Sequence, residues 1–408
     1  MRHAIFAVPF ALDNTIKFVE IAAQLPDLRL GVVSQDPAEK LPAELRKRIA
    51  AFERVPDAMD ARQLANAARK IAKGFGGELD AMFGILEQLQ VPLAEARAML
   101  GLPGLSVEAA TNFRDKARMK DVLRAHDLPC AGHMLARTAQ DALRFGDECG
   151  FPVVVKPPAG AGAKQTFRVD NRDELERALR NMPPRPQQPV LLEEFMQGRE
   201  FSFDSMSLGG EQVFHSISCY SPTPLQVMEA PWIQWNVLLP RDISGDEFAA
   251  IRTAGPRALK ALGMASGMTH MEWFQRDDGS IAISEVAARP PGAQFMTLMS
   301  FAHDFNFYRA WADVMVGGAF TPPDRRYACG AAYLRAQGQG RKVVEIKGLD
   351  RAQQELGELV VEAKLPKKGT PKSTSYEGEG YVVLRHEDTE VVANGLRRIV
   401  EILRVELG

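Results

Sequence analysis

The first hundred or so residues alternate short apolar runs with amphipathic stretches. Residues 5–8 and 28–33 read as strands, and 15–25 between them carries helical spacing. Residues 52–55 and 79–83 are further short strands, while the Ala-rich stretch 61–73 and residues 91–100 are helices. Such alternation predicts a parallel α/β sheet. Leu102-Pro103-Gly104 punctuates its end, and a helix over 112–126 follows. A helix over 138–149 leads into the strand Phe151-Pro-Val-Val-Val155, which ends on Lys156; residues 157–165 are a small-residue loop. Strands are expected at 166–169, 190–193 and 200–208, with a helix at 171–181 between the first two. Residues 211–318 read as strand-rich with helices near 246–262 and 305–316, and the last ninety residues as short strands closed by a helix at 389–403.

Composition narrows this picture without naming a chemistry. The 408 residues suggest two to four domains at roughly 100–200 residues each. Lys+Arg 50 against Asp+Glu 52 gives a net charge of -2, which argues against broad nucleic-acid binding. No apolar run approaches the ~18 residues of a membrane span. Residues 4–12 lack an A-x-A-type cleavage pattern and are interrupted by Asp13-Asn14, so a first strand is expected there and not a signal peptide. Cys130, Cys149, Cys219 and Cys329 lie far apart without a CxxC pair, as expected of reduced thiols in a cytoplasmic protein. After the first strand stands Pro9-Phe10-Ala11-Leu12, not the glycine-rich turn of a dinucleotide fold, so a dehydrogenase is excluded.

Three clusters of residues carry chemistry. Lys156 at a strand end, followed by Gly160 and Gly162, can hold a polyphosphate on a cation and on approachable backbone N–H groups. A snorkelling lysine beside a surface loop fits the same pattern. Glu193-Glu194-Phe195-Met196, then Glu200, is an extended segment with carboxylates at its end. Its backbone suits an adenine edge and its carboxylates a ribose, although a solvated acidic strand end has the same form. His270-Met271-Glu272 and Ser284-Glu285-Val286-Ala287-Ala288-Arg289 flank the turn Asp277-Asp278-Gly279. Alternation puts His270 and Glu272 on one face, and a hairpin can set Glu272 beside Glu285, where Mg²⁺ would relieve their repulsion. Arg289 can face the same site and hold a phosphoryl group. Trp232 and Trp235 are either pocket wall or core, and Arg335 and His386 are candidates for a substrate carboxylate.

The order of these motifs, from Asp115-Lys116 through Lys156-Pro, Leu-Leu-Glu193-Glu-Phe-Met, His270-x-Glu272 and Glu285-Val-Ala-Ala-Arg289-Pro-Pro-Gly292, resembles the ATP-grasp superfamily. The resemblance is to its carboxylate–amine (or thiol) ligases and its biotin-carboxylase-like branch, and it covers nearly the whole chain. It implies an α/β and α+β fold: a pre-ATP-grasp α/β domain (1–111), a helix plus lid (112–196), a catalytic subdomain (197–318) and a β-rich C-terminal extension (319–408). It also implies roles. Lys116 and Lys156 would contact ATP phosphates under a loop bearing Gly160 and Gly162. Glu194, through its carbonyl, and Met196, through its N–H, would hold adenine, and Glu200 or Glu193 the ribose. Glu272 and Glu285 would bind Mg²⁺ (or Mn²⁺), Arg289 would stabilise phosphoryl transfer, and His270 would assist proton removal from an amine. Ala287 stands where the family often has an asparagine metal ligand. The implied reaction activates a small carboxylate as an acyl phosphate for attack by an amine, with small-molecule partners and possible homodimers. The alternatives are a bicarbonate-dependent carboxylase and a non-catalytic ATP-binding module.

Overall fold

The computed structural model describes residues 1–159, 165–230 and 232–408. Strands β1 (Arg2–Val8), β2 (Leu28–Ser34), β3 (Ala51–Arg54) and β4 (Ala81–Phe83) form a parallel sheet in the order β3-β2-β1-β4. The last five residues of β1 are all buried, as a strand covered on both faces requires. One cover is the helix Ala61–Phe75, which starts where the Asp60 side chain accepts from the Gln63 N–H and ends on Gly76 in the left-handed region. It buries Leu64, Ala68, Ile71 and Phe75 at helical spacing. The opposite face receives Trp311 from the helix Phe307–Met315. Its ring meets Phe6, Phe18 and Phe83 at centroid distances of 6.0, 5.1 and 5.7 Å.

Strands β5 (His133–Ala136), β6 (Val153–Lys156), β7 (Phe167–Val169) and β8 (Val190–Glu194) form a small antiparallel sheet in the order β5-β8-β6-β7. Val153, Val155, Val190 and Leu192 pack under the helices Ala139–Cys149 and Arg172–Asn181. By alternation, Val154, Lys156, Leu191 and Glu193 face the other way.

The largest sheet takes strands from both halves of the chain. It comprises β9 (Arg199–Leu208), β10 (Glu211–Ser221), β11 (Trp235–Leu239), β12 (Gly267–Gln275), β13 (Ile281–Ala287) and β14 (Ala328–Leu334). The last two members, β16 (Val360–Lys364) and β17 (Gly380–His386), lie in the sequence between the two strands of a separate ribbon, β15 (Val343–Lys347) and β18 (Arg404–Leu407). The order is β13-β12-β9-β10-β11-β14-β17-β16, antiparallel throughout. Along β14, Cys329, Ala331 and Tyr333 join one core, whereas Ala328, Ala332 and Leu334 join another beneath the helix Thr389–Ile402. Both faces of this strand are thus buried.

Several expectations need correction. Residues 112–126 are not one helix: Val107–Arg114 ends at Asp115, whose carboxylate accepts from the Ala117 and Arg118 N–H groups (both 3.0 Å) and starts Lys116–Ala125. Helices at Pro224–Glu229, Phe295–His303 and Leu349–Leu356 fall in stretches read as strand or loop. In Phe295–His303 only Thr297, Ser300 and His303 are polar, at helical spacing, but no capping side chain marks the start of the helix. Strands from the last ninety residues extend the central sheet, and helices Leu349–Leu356 and Thr389–Ile402 accompany them. Among the described residues no helix is long and apolar enough to cross a membrane.

Trp311 joins the first sheet to the helices behind the central one. Trp311→Ala is expected to cost about 3–5 kcal/mol through loss of contacts and an unfilled cavity. A urea midpoint unchanged from that of the parent chain would contradict this role.

Candidate functional site

A cavity of about 540 Å³ lies between the small sheet and the β9–β12–β13 edge of the central sheet, lined by Lys116, Lys156, Glu193, Glu200, His270, Glu272, Glu285 and Arg289 among others. The position of its carboxylate pair depends on a one-residue irregularity. From the hairpin turn outward, Gln275 opposes Ile281, Phe274 opposes Ala282 and Trp273 opposes Ile283; the next pair is Glu272 with Glu285. Ser284 is therefore the extra residue of a β-bulge. Without it Glu272 would oppose Ser284, and Glu285 would oppose Met271, which faces the hydrophobic core. The bulge brings Glu285 to the cavity face beside Glu272. On β9 the neighbours of Phe274, Glu272 and His270 are Glu200, Ser202 and Asp204, so this face is a polar stripe. Phe201, Phe203, Met271 and Trp273 on the reverse face pack in the core with the helix Ala249–Leu262.

Buried lysines offset much of this negative charge. Lys116, on the first turn of its helix, ion-pairs with Glu285. Lys120, one turn later and 0% exposed, donates to the carbonyl of the bulge residue Ser284 at 2.7 Å and pairs with Glu193 Oε1 at 2.7 Å. Lys156 holds the other Glu193 oxygen at 2.8 Å. Burial pushes the Glu193 carboxyl up, but Lys120 and Lys156 outweigh it and hold it down at about 2. Burial likewise opposes the ionised form of Glu285, which Lys116 and Lys156 nonetheless hold below the usual range. Glu200 has no comparable support: burial and the neighbouring Glu272 carboxylate raise its carboxyl well above the ordinary value. Glu272 and Glu285, register-paired and open to the cavity, fit a divalent cation completed by phosphate oxygens. Ala287 adds no donor, and among the described residues no cluster of three or more His, Cys, Asp or Glu forms a larger metal site.

His270 Nδ1 lies 2.6 Å from Asp204 Oδ1, and its Nε2 lies 3.6 Å from Glu272. Burial disfavours the imidazolium, yet Asp204 and Glu272 overcome this and raise the group to about 9. An imidazolium at neutral pH has no lone pair for the proton of an amine. With Glu272 free of a cation, Asp204 and Glu272 together favour the protonated ring. Arg289 is held by Glu87 at 3.0 Å, and Glu87 in turn takes Arg114 at 2.9 Å. Glu87 comes from a short 3₁₀ turn, Glu87–Leu89, just after the first sheet.

The remaining expected residues divide. Glu194 spends its carboxylate on Arg276 (3.1 Å) and on the Gly132 N–H (3.1 Å), and its own N–H on the Gly132 carbonyl (2.8 Å); Glu194 and Met196 both line the cavity. Among the described residues no group accepts from the Met196 N–H. Glu193, expected as one of two ribose ligands, instead bridges two lysines at 4% exposure. Gly160 and Gly162 lie outside the described residues. Arg335 does not reach the cavity: its guanidinium donates to the carbonyls of Val227, Ala230 (3.0 Å) and Ile233 (3.2 Å). The His386 ring accepts from the Asp388 N–H at 3.0 Å, at the start of the last helix. Trp235 is buried, stacked on Tyr333 at 4.7 Å, and also lines the cavity, whereas Trp232 is 67% exposed.

Lys120, Glu87 and Asp204 were not singled out from the sequence. Lys120 follows Lys116 by one helical turn, a spacing that places both on one face and was readable. Asp204 alternates with Glu200 on its strand, and only Glu87 gave no local signal. Glu193→Gln should destabilise the chain by about 3–5 kcal/mol by leaving two buried lysines short of charge. Because its folded value lies below the unfolded 4.5, the Glu193 contribution is present above about pH 4.5 and fades as pH falls toward 2. A urea midpoint followed from about pH 5 to about pH 3 should therefore drop less steeply in Glu193→Gln than in the parent. Parallel slopes would show that the lysines do not depend on Glu193.

Residues 121–303 match the family model described as "ATP-grasp domain". The chain is 24% identical over 225 residues to an L-arginine-specific L-amino acid ligase from Bacillus subtilis, covering 54% of each chain. It is 27% identical over 224 residues to D-alanine--D-alanine ligase from Pseudomonas putida, covering 54% of this chain and 65% of that one. The matched part thus spans less than two thirds of either ligase. The fold superposes on an L-amino acid ligase from Bacillus licheniformis with a TM-score of 0.80 at 21% identity, over 100% of this chain and 99% of the other. Residues 121–303 of the chain therefore carry an ATP-grasp domain.

Proposed function

We propose that the protein is an ADP-forming carboxylate–amine ligase that activates a small carboxylate with ATP and couples it to an amine. The observation that carries this reading is the bulge-aligned pair Glu272 and Glu285, set against Lys116 and Lys156 in one cavity. Such a pair holds Mg²⁺ through one or two carboxylates, and Mg²⁺ would supply charge neutralisation at the phosphate oxygens when bound. The likeness to an L-arginine-specific L-amino acid ligase and to D-alanine--D-alanine ligase supports the same reaction class.

In this reading the segment Glu194–Met196 seats the adenine, with the Met196 N–H donating, and Glu200 takes the ribose from β9. Lys116 and Lys156 hold phosphate oxygens. A carboxylate is a poor electrophile until one of its oxygens carries a phosphoryl group as a mixed anhydride. Attack of that oxygen on the γ-phosphorus, with departure of ADP, forms the acyl phosphate. The amine nitrogen then adds to the acyl carbon, phosphate leaves, and the nitrogen gives up a proton to water or to the phosphate. Arg289, oriented by Glu87, stabilises the charge on the transferring group. His270 fixes Glu272 by its Nε2–H. The far end of the cavity is lined by Tyr220, Leu225, Trp235, Phe295 and Tyr376, which suits an acceptor with an apolar side chain, such as an aliphatic or aromatic amino acid.

The test is release of ADP and phosphate from Mg-ATP across pairs of amino acids, each measured with and without bicarbonate. Turnover is expected with apolar acceptors and without any need for bicarbonate. Glu285→Gln keeps an acceptor for Lys116 but removes charge, and should lower kcat by about 10²–10³ with the fold retained. Undiminished turnover in that variant would refute the metal assignment. A strict requirement for bicarbonate would replace amine ligation with carboxylation.

A further inference from the structure

A second cavity, of about 460 Å³, shares Arg289 and little else with the first. It lies where the end of the first sheet and the helix Gln90–Leu100 meet the helix Phe307–Met315, and its walls include Met82, Leu105, Met268, Trp311, Val314 and Met315. Into this apolar surrounding projects Arg97, 4% exposed. Its guanidinium donates only to backbone carbonyls, to Met82 at 3.2 Å and Leu105 at 3.4 Å, both long contacts. Its Nε–H is buried with no partner, and no carboxylate forms an ion pair with it, among the described residues. Asp80 also lines the cavity but gives its Oδ2 to the His3 N–H at 2.7 Å.

The Nε edge of this guanidinium is closed off by Gly104. Gly104, at φ +138°, stands so near that a Cβ there would come within 2.8 Å of Arg97 Nε. A buried cation that meets only carbonyl dipoles is poorly compensated, because each ordinary solution pairs it with a carboxylate. Burial alone, with no acid to oppose it, draws this guanidinium down to about 10. The missing partner has a defined chemistry: one planar anionic group for the guanidinium, and a hydrocarbon body for the methionines and Trp311. The volume falls in the ordinary range of small-ligand pockets, roughly 300–1,000 Å³.

We propose that this cavity binds a small amphipathic monocarboxylate, its carboxylate on Arg97 and its apolar tail against Met82, Met268 and Trp311. The site is distinct from the cavity of the ligase reaction proposed above, and among the described residues Arg289 alone lines both.

The full-length chain labelled with ¹³C at the methionine methyls tests this with hexanoate as probe, since Met82, Met264, Met268 and Met315 all line the cavity. Single Met→Leu substitutions assign the signals. Hexanoate at millimolar concentration should shift these methyls saturably, whereas hexan-1-ol and hexylamine should not. Arg97→Met should weaken hexanoate by at least about tenfold, as loss of a charge-assisted contact requires. Glu285→Gln, which alters the first cavity only, should leave hexanoate binding unchanged. Unmoved methyl signals, equal shifts with hexan-1-ol, or full affinity in Arg97→Met would each overturn the proposal. Loss of binding in Glu285→Gln would do so too, by placing the acid in the first cavity. If Arg97→Met does not fold, the comparison of hexanoate with hexan-1-ol and hexylamine on the parent chain decides the matter alone.

Discussion

The extra residue at Ser284 is the constraint on which the site rests. A regular hairpin from the Asp277-Asp278-Gly279 turn would put Glu285 on the core side of the sheet, among Trp273, Met271 and Ile283. An ionised carboxylate there would have to be protonated or expelled. The bulge avoids this, but it leaves the Ser284 carbonyl without a regular partner in the ladder. Lys120 supplies one, and the same ammonium reaches Glu193 on the small sheet. One buried side chain therefore stabilises the irregularity and ties together the two sheets that form the cavity walls.

From that point the charges are interdependent. Glu193 stays ionised in a buried place because two lysines face it, and Glu285 because Lys116 and Lys156 do. His270 stays charged because Asp204 lies directly across from it on β9. Each group is tolerable only in the company of the others, which is how a buried polar network comes to fix a geometry. Glu200 has little of this company, and its raised carboxyl marks the side of the cavity with least positive charge.

Much of this arrangement was legible in the sequence because strand alternation is a strict rule. Position 270 must share a face with 272, and a hairpin must bring 272 near 285. The register itself was not legible: no residue type announces a bulge at Ser284, and the turn centre alone favours the neighbouring pairing. Glu87 escaped notice for a related reason. It is a lone acid in an apolar stretch, and its partner Arg289 lies about two hundred positions later. Glu193 was assigned by order in a motif, whereas its role depends on a lysine from a different element. Helix Phe295–His303 was missed because its polar residues are few and no capping side chain marks its start.

The salt bridge from Glu87 to Arg289 joins the first sheet's module to the end of β13. Modularity in this chain therefore does not follow its sheets. A recombined protein that took its first hundred residues from a relative would inherit a different orienting group for the arginine, however well the cores matched. The heritable unit is the pair, and residues far apart in the chain must change together.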